Sequence, residues 1–366
     1  MSFFVQSIGT AVPSGSIGQE DAAKLSQHYC CPTPEQARLL PVLYRRTRVE
    51  MRHSVLLGEQ TSETIEGPDF YKPAVDESDL GPTTHQRMQV YQQYASDLGV
   101  AASNDAFARC DVQPGEITHL ITVSCTGFCA PGFDVEIARK LGLSADVART
   151  HVGFMGCHGA LNAIRAAQGF TAVTPSHRVL ICAVELCSLH HQYGWDPERI
   201  VSNALFADGA AALIVGGDSP NPDIGSLQHV ASGTTIVAGT EDQMSWNIGD
   251  HGYAMTLAAT VPETIRQHLR PWLTKWLKQY NLSPSRIGGW LVHPGGPRIL
   301  EATSDAMNLD DDSLIDSKTI LRTHGNMSSP TVLFVLQEAI RMNRPGPYLM
   351  LGFGPGLTIE AALIGK

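Results

Sequence analysis

Three residues in this chain pair a reactive side chain with an adjacent break in regular backbone: Cys157, His293 and Asn326. Cys157 lies in Gly153-Phe-Met-Gly-Cys-His-Gly-Ala-Leu-Asn-Ala-Ile, between Gly156 and Gly159, which permit a sharp turn into a helix. A thiol in a first helical turn feels the positive end of the helix dipole, which favours thiolate and nucleophilic attack. The alternative is an inert core cysteine. His293 ends the apolar run Gly-Trp-Leu-Val and precedes Pro-Gly-Gly-Pro, so it sits where the backbone leaves a strand. Its imidazole suits pairing with a thiol or donating a proton. Among 14 histidines, His151, His158, His190, His191, His251 and His324 have weaker settings. Asn326, in His324-Gly-Asn-Met-Ser-Ser-Pro, stands before a helical pattern. Either it caps that helix or its amide donates to a developing oxyanion.

These residues need a scaffold that brings them together. Short apolar runs, mostly ended by glycine, predict buried strands at 117–125, 178–186, 210–215, 289–293 and 348–353. Helical periodicity predicts helices at 134–141, 159–170, 261–280 and 331–342. Strands alternating with helices make an α/β fold. The pattern also repeats. A strand, a loop, Arg149-Thr150-His151, Cys157 opening a helix and a further strand are echoed by a strand ending at His293, Arg322-Thr323-His324, Asn326 before a helix and a further strand. Cys125 to Cys157 and His293 to Asn326 span nearly equal intervals. Such self-similarity predicts two related halves, 1–225 and 226–366, sharing one crevice beyond the carboxyl ends of their strands.

Composition narrows the function classes. The chain has 366 residues, 43% hydrophobic and 17% charged, with a net charge of −10. An acidic surface disfavours nucleic acid and anionic lipid. No apolar run approaches a membrane span, and the N-terminus lacks the pattern of a secretory signal, so a soluble cytoplasmic protein is expected. The eight cysteines are then expected to be free thiols. Cys125 and Cys129 lack a second pair with zinc-like spacing. The loop Gly352-Phe353-Gly354-Pro355-Gly356 looks like a phosphate loop, but too little chain follows it for a βαβ unit. It reads instead as tight backbone approaching the site.

Gly156-Cys157, His293-Pro-Gly-Gly-Pro, Gly325-Asn326-Met-Ser-Ser and the Gly352–Gly356 loop together resemble the type III polyketide synthases, the chalcone synthase-like family. The resemblance spans nearly the whole chain in the same order. It implies a thiolase-like αβαβα fold, a homodimer, acyl-CoA starter and malonyl-CoA as substrates, and no bound organic cofactor or metal. It further implies that Cys157 carries the acyl chain while His293 and Asn326 stabilise the thioester oxyanion and the enolate. Phe206 matches the family's gatekeeper phenylalanine, and Leu257 is aligned with a second gate. Cys125, Thr126, Cys187 and His190 are aligned with cavity positions, and Ser328 with the site wall. Arg46 falls near the basic position that holds coenzyme A, with Arg45, Arg48 and Arg298 as neighbours. A smaller gate favours a longer starter, hence an alkylpyrone or alkylresorcinol product over a chalcone. Two rivals are a ketoacyl-carrier-protein synthase III-like enzyme and a Cys-His-Asn hydrolase.

Overall fold

The computed structural model describes residues 3–58, 69–216 and 227–365. Its centre is a nine-stranded mixed sheet built from two similar arrangements. In the first, His119–Ser124 runs parallel to both Ala148–Gly153 and Arg178–Leu186. Arg178–Leu186 then pairs antiparallel with Asp208–Gly216, and that strand with Phe4–Ala11. In the second, Gly289–Val292 runs parallel to Tyr348–Gly354, which pairs antiparallel with Thr358–Gly365, and that strand with Gln228–Ile236. The two arrangements join through a single registered pair, Phe4 with Gln228.

Alternation along the strands explains the layering. Ile121, Val123, Val179 and Ile181 from the first half face one central core, together with Leu291, Tyr348, Met350 and Ala362 from the second. That core is filled by the helices Gly159–Val173 and Thr331–Arg341. The intervening residues face outward. Leu120, Leu180 and Val184 pack under the Thr84–Phe107 and Phe133–Leu141 helices, and Trp290, Leu349 and Leu351 under Val261–Lys278 and Pro297–Met307. Helix, sheet, helix, sheet and helix follow in order, the thiolase-like sandwich. Strands covered on both faces must be apolar throughout, which is why they stood out in the sequence. Truncating a buried leucine here costs about 2–5 kcal/mol.

The halves differ at one point. Arg149-Thr150-His151 lies in the edge strand Ala148–Gly153, whereas Arg322-Thr323-His324 closes the helix Ile315–His324. The tripeptide match is therefore not a local structural equivalence. The edge strand is largely exposed. The opposite edge, Gly289–Val292, is buried, and Ser317 Oγ accepts from Val292 N–H at 3.1 Å. The expected boundary between halves at 225/226 lies outside the described residues.

Candidate active site

Cys157 and His293 both sit beyond the carboxyl ends of strands. Cys157 occupies a short 3-10 turn, Gly156–His158, between the edge strand and the Gly159–Val173 helix. The turn is tight, with positive φ at Phe154 (62°) and Gly156 (67°). A bulky residue in that region is strained, and strain of this kind concentrates where a side chain must be aimed. Glycine is required at 156 for space as well. A Cβ there would meet Pro355 Cδ at 2.9 Å. Likewise a Cβ on Gly354 would strike the His158 ring at 2.3 Å. The Gly352–Gly356 loop thus clamps the turn carrying Cys157, as tight backbone and not as a phosphate loop. Phe353 is the exception, turned away into the outer core of the second half. Behind the turn, His158 Nδ1–H donates to Asn162 Oδ1 at 2.7 Å, and Asn162 and Arg165 both donate to buried Glu360.

Asn326 is not a helix cap. The following helix begins at Thr331 with Pro330 in the cap position. Asn326 Oδ1 instead accepts from Ser328 N–H at 2.8 Å, an Asx turn. This leaves the amide N–H to act on the Cys157 sulfur, alongside Ser328. Burial pushes the Cys157 thiol up to about 11, against those two hydrogen bonds. The dipole of the following helix acts in the opposite sense to burial, toward thiolate.

His293 is 1% exposed, and among the described residues neither ring nitrogen has a hydrogen-bond partner. Burial, with the charge of neighbouring His158, lowers its pKa to about 3. Buried polar atoms are normally paired, so an orphaned imidazole needs a reason. A substrate oxygen or a proton in transit supplies one.

A cavity of about 360 Å³ opens over the thiol, walled by Cys125, Thr126, Cys187, Phe206, Ser328 and Pro355 among others. The expected Leu257 is not among its walls. Met255, two residues earlier, takes that place, with Met244 and Trp246. Residues two apart in a strand share a face, so alternation along Gly252–Leu257 cannot separate these two positions. His190 is also outside this cavity. Its Nε2–H donates to Thr126 O at 2.7 Å, its Nδ1 accepts from Tyr253 N–H at 3.0 Å, and its ring stacks on Tyr253. Both ring nitrogens are bonded, and the ring lines the chamber adjoining this cavity.

Glu185 was missed by sequence reasoning. It is fully buried beneath the cavity and accepts from Cys125 N–H, Thr126 Oγ1 (2.7 Å) and Ser329 Oγ (2.6 Å). Burial raises its pKa despite these donors. Within an apolar strand the only available signal was the charge itself.

A second cavity of about 1080 Å³ holds Arg46, Arg298 and Leu257, and reaches Gly295, which lies against the His293 ring. Arg48 instead pairs with Glu301 at 3.0 Å beside a separate cleft. Arg45 is exposed.

Comparison with known proteins matches residues 2–219 to the N-terminal domain, and 228–366 to the C-terminal domain, of chalcone and stilbene synthases. The chain is 31% identical to 1,3,6,8-tetrahydroxynaphthalene synthase of Streptomyces peucetius subsp. caesius, over 98% of this chain and 92% of that protein. It is 29% identical to the alpha-pyrone synthesis polyketide synthase-like Pks18 of Mycobacterium tuberculosis, over 98% and 90%. The crystal structure of PKS-I from the brown alga Ectocarpus siliculosus superposes with a TM-score of 0.92 at 26% identity, over 100% of this chain and 99% of that one.

Proposed function

Since the chain belongs to the chalcone and stilbene synthase family and is a type III polyketide synthase, we propose that Cys157, His293 and Asn326 carry its reaction. The Cys157 sulfur attacks the carbonyl of an acyl-CoA starter, and coenzyme A leaves as the thiol. The Cys157 proton passes by way of the unpaired imidazole of His293 to the departing coenzyme A sulfur. Malonyl-CoA then loses carbon dioxide, and its thioester oxygen takes the enolate charge under the donors of His293 and Asn326. The enolate carbon attacks the Cys157 thioester. A carbon–carbon bond forms, the carbon–sulfur bond breaks, and the expelled Cys157 thiolate takes a proton from water to restore the thiol. Fixed donors in a water-poor pocket lower the cost of that charge, and the thioester holds one reactant in place. The carrying observation is the buried sulfur under the Asn326 amide and Ser328 hydroxyl, at the floor of a cavity.

Coenzyme A is assigned to the cavity holding Arg46 and Arg298, which would meet its phosphates, while Gly295 brings the thioester toward His293. Two relatives are named for a pyrone and a naphthalene product, which supports a ring-closed product. Met255 beside Phe206 makes a flexible gate, which supports the alkylpyrone or alkylresorcinol type. The substrates are CoA thioesters alone, with no further cofactor, and the eight free cysteines suit the cytoplasm. Among the described residues no helix is long and apolar enough to cross a membrane. The homodimer is assigned to the open edge strand Ala148–Gly153, flanked by Phe128 and Phe154, which are 68% and 71% exposed.

The test is incubation with acyl-CoA and malonyl-CoA without carrier protein. Carbon dioxide and a cyclised product are expected, and Cys157→Ala should form none while remaining a folded dimer. Product formation only with a carrier protein, or full yield from the variant, would contradict the reading.

A further inference from the structure

Behind the reaction cavity lies a second chamber of about 870 Å³. Cys187, Phe206, Trp246 and Met255 line both spaces. From this partition the chamber runs to the helices Gln19–Cys30 and Pro34–Arg46.

Its far end is polar in an unusual way. Tyr44 is 1% exposed, and among the described residues its hydroxyl makes no close hydrogen bond, although Arg52 and Ser26 stand beside it. Arg52 Nη1 donates to the carbonyls of Asn203 (2.6 Å) and Phe206 (3.0 Å), but its buried Nε–H is unpaired. Among the described residues no carboxylate stands within ion-pair distance of this guanidinium. Buried donors left unpaired are costly, and more so on a cation. The two groups adjoin one another in the wall of one chamber, so a single acceptor entering it would meet both. The neighbouring His191 is held neutral by burial and by the charges of Arg52 and Arg87, its pKa lowered to about 3, so it brings no competing charge.

We propose that this chamber receives the far end of the acyl chain carried on Cys157 and selects chains that end in a hydrogen-bond-accepting oxygen, whether hydroxyl, oxo or carboxylate. The chamber's walls near the partition, Trp246, Tyr253 and Met255, suit the hydrocarbon portion. Tyr44 and Arg52 meet the oxygen. A methyl-ended chain leaves both donors unpaired, and sites built around polar groups reject analogues that cannot pair with them. This rests on Cys157 being the acyl carrier.

The test is competition for Cys157 among acyl-CoA starters of matched length ending in methyl, hydroxyl or carboxylate, read by intact-protein mass. Oxygen-ended chains should label Cys157 about tenfold in preference to methyl-ended ones, the scale of one buried hydrogen bond. A lead for carboxylate assigns the larger share to Arg52, and a lead for hydroxyl to Tyr44. In Tyr44→Phe the preference should fall markedly while the melting temperature holds or rises, since no hydrogen bond within the protein is lost. Equal labelling, a preference unchanged in the variant, or no labelling by any starter overturns the proposal. Carbon dioxide release from malonyl-CoA is measured separately. Its absence counts against the polyketide synthase reading and not against the chamber.

Discussion

Phe206 is tied to Asn326 through the backbone. Asn326 N–H donates to Leu205 O and Ala207 N–H donates to Asn326 O, both at 2.9 Å, in a parallel bridge outside the main sheet. The proposed aromatic gate from the first half and the proposed oxyanion amide from the second are thus held in one register. A side-chain change at 206 leaves that bridge intact. Phe206→Leu should therefore still release carbon dioxide from malonyl-CoA. It should admit more water, so the ratio of carbon dioxide to product rises several-fold in a paired assay.

His293 loses no internal hydrogen bond when replaced, because its ring has none. His293→Gln is expected to melt close to the parent protein while decarboxylation falls about 10²–10³-fold. A large drop in melting temperature would identify a structural histidine instead.

The thiol is raised, so its reactivity should follow pH in a defined direction. Thiolate increases as pH rises toward about 11, and alkylation of Cys157 by iodoacetamide should accelerate by about tenfold per pH unit below that value. Ser328 lowers this pKa. Ser328→Ala should raise it and slow alkylation at any fixed pH in the same range. Peptide mapping separates Cys157 from the other cavity thiols.

Gly156→Ala combines a left-handed backbone with contact at 2.9 Å to Pro355. The backbone alone costs about 1–2 kcal/mol, too little to unfold most domains of this size. The expected result is a folded protein with a displaced Cys157 and a sharply lower rate of acyl loading.

Met255 and Leu257 face different spaces. Met255→Phe should narrow the reaction cavity and cut turnover of bulky starters, with little change for small ones. Leu257→Phe should act on the coenzyme A side and raise KM for starters of every size. Starter panels run on both variants check the distinction.

The sequence made the layered fold legible because its strands are covered on both faces. The run Arg178–Leu186 has no polar interruption until Glu185, and such a pattern has few other uses. Cys157, His293 and Asn326 were legible for a related reason, since glycine and proline beside a polar residue mark where chain leaves an element. The exact surroundings of Leu257, His190 and Arg48 were not legible: Leu257 and Arg48 line other clefts, and His190 lines the chamber next to the reaction cavity. Their roles depend on which way a side chain turns at a loop or short strand, and no periodicity fixes that. Glu185 went unseen because its partners, Cys125, Thr126 and Ser329, come from distant segments. The Arg-Thr-His repeat misled in the opposite sense, joining a strand to a helix.

That last difference bears on assembly. If both halves had ended in an uncovered strand, copies could add at either end and polymerise without limit. Here the second half ends in Gly289–Val292, buried and backed by Ser317, and among the described residues Ala148–Gly153 is the open edge of the main sheet. Self-complementary pairing along one edge uses up the edge on both copies. In the proposed dimer both open edges would be used up by each other, and growth would stop at two.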